Sequence, residues 1–429
     1  MQTLIKNVAL FDGETLLSGA DHAILVENDL IKEVGDNSLT AAEDAHIYDG
    51  QGLLLCPGFV ATHEHLMWSM QGPLTALDEY HWGYLGALGA VMAKRWLEWG
   101  FTTIRSAGGP DQGIQRAIDE GIIPGPRIFP SGAPLSATGG HGDWRHYNNL
   151  HPNLGGTRSP HELFGHTVVA DGVHEMMTAS REQFSHGATQ LKLMGSGGVA
   201  SIFDPIDMHG FTEEEIKASV SIAENYGSYC MAHTYNSETT QRLLRCGVKS
   251  IEHGMLCDDE TFRMMSDMGA YLSTQAFAAL IILAEENIPE FFTPDQKSKG
   301  RAVREGFKTM AELADKHKVK VTWSTDLVLG EALVSQAPQE WAVRSQIWSS
   351  LDILRQATSR AAELVQLCGN RNPYGRMGVI GAGALADIVL VNPKVGSDAS
   401  LLAKPEENIA LVMKGGEVFL NRLNHSNFA

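Results

Sequence analysis

Residues 53–65 read LLLCPGFVATHEH, an apolar run that ends in His63 and His65. Side chains on a β-strand alternate between its two faces, so histidines two positions apart point the same way. Both imidazoles can then bind one metal ion from the same side. A lone His-x-His pair is weak evidence, because most histidines need no metal. The metal prediction gains strength because further candidate ligands also follow short strand-like runs.

Strand-like and helix-like runs alternate along the middle of the chain, a pattern typical of βα units around a parallel sheet. The predicted strands are Leu55–His65, Thr102–Ser106, Arg127–Gly132, Gln190–Met194, Tyr229–Thr234, Ser250–His253, Ala270–Thr274 and Lys320–Thr325. The predicted helices are Leu85–Trp99, Gly113–Glu120, Val173–His186, Glu213–Tyr226, Ser237–Cys246, Asp259–Met268, Lys297–Lys316 and Ser349–Leu367. This order predicts an α/β fold, a closed (β/α)8 TIM barrel, whose active site lies at the C-terminal ends of its strands.

Both ends of the chain contain short strands separated by turn residues. They are Val8–Gly13, Ala23–Asn28, Leu30–Gly35, Ala386–Val391 and Leu411–Phe419. We predict that residues 1–56 and 380–429 form one small β-sandwich around a barrel of residues 57–379. The alternative is two separate terminal hairpins.

The segment from Leu135 to Gly172 interrupts the alternation. It is rich in Gly, His, Asn, Asp and Pro and is too long for an ordinary βα connection. We predict that residues 135–172 form a lid over the barrel mouth. The alternative is an insertion without a role in the site.

Four later residues are candidate ligands, although each has a structural explanation. His233 and His253 could be hydrogen-bonded core histidines, and Asp326 could be a helix N-cap. Lys192 lies within an apolar strand, where an unpaired ammonium is costly. It therefore needs either a carboxylate partner or a chemically changed amine.

Together with His63 and His65, these residues fit a metal site. Imidazole and carboxylate suit Zn²⁺, and a catalytic site keeps one position open for water. Bound zinc lowers the pKa of that water to about 7, which gives hydroxide at neutral pH. Asp326 can orient the hydroxide, take its proton and pass it to the leaving group. Lys192 could ligate only after carboxylation by CO₂. The chain is therefore predicted to be a metallohydrolase.

Several of these motifs resemble the amidohydrolase superfamily. They are Pro57-Gly58-Phe59, His63-Glu64-His65, Lys192, His233, Ile251-Glu252-His253-Gly254 and Ser324-Thr325-Asp326. More narrowly, Ser136–Asp143, Lys192–Ser201 and Ala232–Tyr235 resemble one branch of that superfamily. The branch holds prolidase-like Xaa-amino-acid dipeptidases, N-acyl amino-acid hydrolases and ochratoxin-cleaving amidases. The resemblance spans nearly the whole chain.

The resemblance implies a binuclear metal centre, with two Zn²⁺ ions per chain. It assigns His63, His65 and Asp326 to the first ion, His233 and His253 to the second, and a carboxylated Lys192 to the bridge. His141 and Tyr235 match positions that face the substrate and polarise the scissile carbonyl or bind the substrate carboxylate. Their alternatives are a loop-packing role for His141 and a position on the rim for Tyr235.

One position departs from the pattern of the relatives. They commonly carry Asp-x-His-x-His, whereas Ala61 stands where that Asp would be, closer to the Asn-Thr-His-x-His of the deaminase branch. The support for the first histidine is therefore missing or supplied elsewhere. Glu64 is expected to point away from the metal and is not counted as a ligand.

The overall composition limits partners and compartment. A net charge of −18 argues against nucleic-acid and anionic-membrane binding. No apolar stretch reaches the roughly 20 residues of a spanning helix, and no signal peptide is visible. Five scattered cysteines without Cys-x-x-Cys favour the reducing cytoplasm, although a removed leader would leave the same sequence. The predicted partners are a small-molecule amide or peptide and further copies of the chain in a homo-oligomer.

Three functions compete at this stage. The first is an amide or peptide hydrolase with hydroxide bridging two metal ions and Asp326 as general base and acid. The second is a deaminase or a urea- or carbamate-type C–N hydrolase on the same barrel. The third is an inactive barrel kept as a scaffold, which would have lost ligands that this chain retains. Arg145 and Arg158 are candidates for binding a substrate carboxylate. Candidates for an apolar substrate pocket are Trp68, Met70, Trp82, Trp144, Tyr147, Phe203 and Phe277.

Overall fold

A computed structural model describes residues 1–423 of the chain. The strands are β1 Gln2–Phe11, β2 Leu16–Glu27, β3 Leu30–Asp36, β4 His46–Asp49, β5 Leu54–Pro57, β6 Phe59–Glu64, β7 Phe101–Ser106, β8 Arg127–Phe129, β9 Leu135–Ser136, β10 Val168–Val169, β11 Leu191–Met194, β12 Cys230–Asn236, β13 Ser250–Leu256, β14 Tyr271–Thr274, β15 Lys320–Trp323, β16 Ile388–Val391, β17 Ile409–Lys414 and β18 Glu417–Asn421. The α-helices are α1 Trp82–Glu98, α2 Gln112–Asp119, α3 Pro160–Leu163, α4 Val173–Ser185, α5 Glu213–Asn225, α6 Ser237–Arg245, α7 Asp259–Asp267, α8 Pro294–Lys316, α9 Glu331–Val334, α10 Gln339–Arg344, α11 Ser350–Gln356, α12 Ser359–Val365 and α13 Pro405–Asn408.

Eight parallel strands form the predicted barrel. Strands β6, β7 and β8 pair in that order, and β11 to β15 pair in sequence order. The two groups meet on both sides. Thr189, two residues before β11, donates its backbone N–H to Pro130 O after β8 at 2.8 Å, and Asp326 after β15 donates its backbone N–H to His63 O at 3.1 Å. The short pair β9–β10 attaches to β11. The carboxyl ends of the barrel strands therefore surround one mouth.

The predicted strand Leu55–His65 is wrong as one element, because it divides at Gly58. Strand β5 pairs with β16 of the terminal sheet, whereas β6 pairs with β7 of the barrel. A Cβ on Gly58 would lie 2.2 Å from Thr102 Oγ1, so only glycine fits where the chain passes between the two sheets.

The predicted helix Ser349–Leu367 divides in a similar way, into α11 and α12. Thr358 leaves the helical region with φ −132° and ψ −98°. Ala357 O just before it accepts the backbone N–H of Val60 at 2.7 Å. The break therefore lets a barrel strand hydrogen-bond with the helical layer.

The two chain ends share one sheet, in which β16 pairs with β5 and β5 pairs with β1. The separate-hairpin alternative is therefore wrong. The sheet also folds back on itself, because Ile31 N donates to Ala384 O at 2.8 Å and Ala386 N to Asp29 O at 2.8 Å. Its enclosed side chains form an apolar core distinct from that of the barrel. The domain limits 1–56 with 380–429 and 57–379 stay a prediction, which this pairing supports.

Among residues 1–423, no helix is both long enough and apolar enough to cross a membrane. The five cysteines are buried and unpaired.

Candidate metal centre

The six predicted ligands come from five barrel strands and lie at one mouth. His63 is in β6 and His65 follows it, Lys192 is in β11, His233 in β12 and His253 in β13, and Asp326 follows β15. All but Asp326 are less than one-tenth exposed. The barrel thus brings together side chains that are separated by up to 263 residues, from 63 to 326, in the sequence.

His63, His65 and Asp326 are the tightest group. Asp326 Oδ1 lies 3.4 Å from His63 Nε2 and 3.2 Å from His65 Nε2. One ligand atom from each residue lies within 4.8 Å of the others, close enough for all three to hold one ion. Two imidazoles and a carboxylate are a donor set that Zn²⁺ accepts.

The outer nitrogen of each imidazole in this group already has an acceptor. Nδ1 of His63 donates to Glu252 Oε2 at 2.7 Å, and Nδ1 of His65 donates to Gly108 O at 2.9 Å. With the proton fixed on Nδ1, each Nε2 keeps its lone pair toward Asp326, as metal ligation requires. Burial lowers the pKa of His63 far below its usual value and the charge of Lys192 lowers it further, so the ring is neutral.

The Lys192 amine is buried beside this group. Its Nζ lies 3.4 Å from His63 Nε2, and within residues 1–423 it has no carboxylate ion-pair partner. Burial lowers the Lys192 pKa to about 8, against the opposing attraction of Glu252 and Asp326. Roughly one-tenth of the amine is therefore neutral and nucleophilic at pH 7, and this fraction rises with pH.

His253 and His233 form the other half of the cluster. The His253 ring centroid lies 5.2 Å from that of His63 and 4.5 Å from that of His233. His253 Nδ1 donates to Gln275 Oε1 at 2.8 Å and lies 3.9 Å from Asp326 Oδ2. His233 Nε2 lies 3.2 Å from Gly197 O, to which it donates. The two halves are therefore adjacent, with His253 between them.

Asp326 and His253 both have left-handed backbones, with φ of 52° and 77°. Such values are uncommon outside glycine and mark positions held by their surroundings. At Asp326 this geometry turns the carboxylate back toward β6, and the N-cap alternative is wrong, since the next helix starts at Glu331. Burial would raise the Asp326 pKa, but the imidazoles of His63 and His65 hold it well below its usual value.

His141 and Tyr235 line the same cluster. His141 stacks on His233 with centroids 4.2 Å apart, and its Nδ1 lies 2.5 Å from Ser201 Oγ. Tyr235 stacks on His253 at 5.1 Å and meets His233 edge-on. Burial raises the pKa of the Tyr235 hydroxyl, which therefore remains a proton donor. Both rings therefore pack directly against the histidines of the cluster.

Four supporting residues were missed at the level of sequence. Glu252 and Gln275 accept from the ligand imidazoles of His63 and His253, and Ser201 bonds His141. Asp204 in turn accepts from Ser201 Oγ at 2.6 Å. Glu252 and Ser201 lie within motifs that the sequence had already singled out, whereas Gln275 and Asp204 gave no signal. Glu64 behaves as expected and faces Thr325 rather than the cluster.

The candidates for substrate contacts are only partly brought together. Arg145 is paired with Asp143, and Arg158 lines a separate surface cavity of about 260 Å³ beside α3 and α4. Trp144, Phe203 and the paired Arg145 line a mainly apolar cavity of about 120 Å³, which Ser201 also borders. Trp68 stacks on His65 with centroids 4.1 Å apart. The remaining aromatic and apolar candidates are buried or lie elsewhere on the surface: Met70, Trp82, Tyr147 and Phe277.

Comparison with known proteins gives a consistent set of relatives. The profile of the amidohydrolase family matches residues 54–419. Ochratoxinase of Aspergillus niger is 26% identical over 434 aligned positions, which cover 95% of this chain and 84% of ochratoxinase. A crystal structure of an amidohydrolase superposes with a TM-score of 0.90 at 32% identity, covering 99% of this chain and 100% of that chain. A prolidase complexed with N-methylphosphonate-L-proline gives 0.89 at 31% identity, covering 98% and 100%.

Proposed function

The chain belongs to the amidohydrolase family, and we propose that it hydrolyses the amide bond of a dipeptide or an N-acyl amino acid, including ochratoxin-like amides. It is an enzyme that acts on C–N bonds. The observation that carries the proposal is the convergence of His63, His65 and Asp326 beside the buried amine of Lys192. Two proteins similar to this chain, ochratoxinase and a prolidase, are named as enzymes that cleave amide bonds.

In this proposal the residues at the mouth would hold two zinc ions. His63, His65 and Asp326 would hold the first, and His233 and His253 the second. Lys192 would bridge them after its neutral amine adds CO₂ and loses a proton, which gives a carbamate with two oxygen donors. The fit rests on the fixed tautomers of His63 and His65 and on the buried amine, which lacks a carboxylate partner in the described part of the chain.

Zinc bound here would acidify a water molecule and polarise the scissile carbonyl. Asp326 would orient the attacking water, accept its proton and deliver that proton to the leaving nitrogen as the C–N bond breaks. His141 and Tyr235 would donate to the substrate carbonyl or carboxylate. The products are a carboxylic acid and an amine.

The substrate side chain would be apolar. The cavity lined by Trp144 and Phe203 is bordered by Ser201, the partner of His141, so it lies next to the proposed reaction centre. Trp144 also donates its indole N–H to His141 O at 2.9 Å. An aromatic or branched side chain held there would leave its amide bond near the metal ligands. In the same proposal, residues 135–172, which include His141 and Trp144, form a lid over the barrel mouth. The chain would also form a homo-oligomer.

The experiment is a screen of dipeptides and N-acyl amino acids with zinc-loaded enzyme, read out as released amino acid. We expect cleavage of members with an apolar side chain, and no cleavage after zinc removal. Failure across this library, with turnover of ureas, carbamates or amidines instead, would replace the proposal with the deaminase or urea-type alternative.

A further inference from the structure

The carboxylate that supports His63 does not come from its own strand. Position 61, where relatives commonly carry Asp, is occupied by Ala61. This side chain is fully buried in the apolar core that also contains Phe59, Phe101 and Trp341. An aspartate there would be an unpaired charge among apolar side chains, which is costly. The support for the imidazole must therefore come from another strand.

Glu252 of β13 lies where it can support the His63 imidazole. Its Oε2 accepts the Nδ1–H of His63 at 2.7 Å, and both side chains are at most 1% exposed. Ser250 Oγ donates to Oε1 of the same carboxylate at 2.5 Å. A buried carboxylate with charged and neutral donors on both oxygens has one fixed orientation.

Arg105 of β7 completes the arrangement. Its guanidinium donates to both Glu252 oxygens, at 2.9 and 3.0 Å, and to the backbone oxygen of Thr62 at 2.5 Å. Burial alone would lower the pKa of this guanidinium, but the Glu252 carboxylate raises it above its usual value. One buried cation therefore binds both the carboxylate that supports His63 and the peptide group immediately before His63.

The backbone at His253 makes this arrangement compatible with metal ligation by the next residue. In a regular strand, Glu252 and His253 would face opposite sides. The left-handed φ of 77° at His253 breaks that alternation, so that Glu252 reaches His63 while His253 reaches Gln275 and Asp326. Strand β13 thus supplies both Glu252, which supports His63 in one half of the cluster, and His253, which belongs to the other half.

We propose that Glu252, held by Arg105, is the positioning residue for His63. It fixes the proton on Nδ1 and aims Nε2 at the first metal position, so it sets metal affinity without touching the substrate. The inference rests on the proposed zinc centre. It predicts that loss of the carboxylate weakens binding of the first ion more than binding of the second.

The test compares Glu252→Gln and Glu252→Asp with a matched control, Asp387→Asn. Asp387 forms a buried two-point pair with Arg127, at 3.1 and 3.2 Å, between the barrel and the terminal sheet. Metal-free proteins are titrated with Zn²⁺ against a chromophoric chelator, and with Co²⁺ to record the visible absorption band. Circular dichroism confirms folding of each variant.

We expect Glu252→Gln to weaken the tighter zinc site by about 10- to 100-fold and to shift the cobalt band. Glu252→Asp should fall between the wild type and the Gln variant, and Asp387→Asn should match the wild type in both readouts. Wild-type zinc affinity in folded Glu252→Gln would overturn the positioning role alone. Absence of zinc binding by the wild type would overturn the proposed metal centre together with it.

Discussion

Glu64 and Thr325 join the first and last strands of the barrel through two hydrogen bonds. The Thr325 backbone N–H donates to Glu64 Oε1 at 2.8 Å, and its hydroxyl donates to Oε2 at 2.5 Å. Thr325 immediately precedes Asp326, whose left-handed backbone turns its carboxylate toward His63. The carboxylate of Glu64, which is not a ligand candidate, thus anchors the residue before the proposed proton acceptor.

Thr325→Val should therefore reduce turnover by about 10- to 100-fold, because Asp326 loses part of its fixed position. It should also lower the free energy of unfolding by about 1–3 kcal/mol, since the buried Glu64 carboxyl loses one of its two donors from Thr325. Burial raises the pKa of Glu64, and the hydrogen bonds from Thr325 oppose that rise. The Glu64 pKa should therefore be higher in the variant than in the wild type. Steady-state rates and denaturant unfolding measure both effects.

Thr261→Val is the control for this change. It removes a hydroxyl that donates to Asp258 Oδ1 at 2.6 Å at the start of α7, away from the cluster. It should cost stability with little loss of turnover. Equal turnover losses in both variants would refute the positional role of Thr325.

Lys192→Ala should remove bound zinc and activity together, because the bridging ligand disappears. Lys414→Ala is a matched control, since burial also lowers the pKa of Lys414 while its amine donates to Gly125 O, remote from the mouth. Mass spectrometry of the metal measures the zinc bound per chain in each variant. The mass of the Lys192 peptide of the wild type, prepared at high CO₂, measures carboxylation of the amine. Retained zinc in folded Lys192→Ala would argue against a carboxylated bridge.

Phe203→Ala should change substrate preference rather than chemistry. Phe203 is 59% exposed at the apolar cavity, so its loss should reduce kcat/KM for substrates with an aromatic side chain by about 10-fold, or about 1.4 kcal/mol. Rates on matching substrates with an alanine side chain should change little. Phe164→Ala, in a different groove, is the control. A uniform loss on both substrates would remove the cavity from the account of specificity.

The free energy of unfolding should decrease in mild acid because His166 is buried in its neutral form. Burial, with a smaller effect of His161, lowers the His166 pKa to about 4, and the neutral ring accepts the indole N–H of Trp68 at 3.1 Å. An unfolded histidine titrates near 6.5, so the unfolded state binds more protons between about pH 6.5 and pH 4. Stability therefore decreases as the pH falls through that window, by on the order of 3 kcal/mol at its lower end.

Chemical unfolding at several pH values checks this sign. His166→Gln keeps an acceptor for Trp68 without a titrating ring, so its stability should fall less than that of the wild type below pH 6.5. His46→Gln at an exposed position should behave like the wild type. Parallel curves for wild type and His166→Gln would show that His166 does not contribute.

Much of the barrel could be predicted from the sequence, because buried parallel strands and their helices leave clear periodic patterns. The predicted ligands follow from the same reasoning, since they lie at strand ends that a barrel brings together. The break at Gly58 could not be predicted, because it depends on the contact with Thr102 from the next strand. The division of the last predicted helix at Thr358 likewise depends on the hydrogen bond that the Val60 N–H donates to Ala357 O.

The supports of the cluster were harder to predict than its members. Glu252 is 189 residues away from His63 in sequence, and their contact exists only when β6 and β13 face each other across the barrel. Ser201 and His141 are 60 residues apart in sequence, and their contact likewise exists only in the folded chain. Position 61 suggested that the support of His63 was absent or elsewhere, and the three-dimensional arrangement identifies a candidate on another strand.

The most direct measurement combines bound zinc and amide-hydrolysis rate in the same preparations of wild type and Asp326→Asn. We predict that Asp326→Asn keeps zinc but loses turnover by about 10²- to 10⁴-fold, because the proton acceptor is gone. Asp267→Asn, an exposed residue paired with Arg263, should retain both. Full turnover by Asp326→Asn, or undiminished amide hydrolysis by zinc-free wild type, would contradict the account.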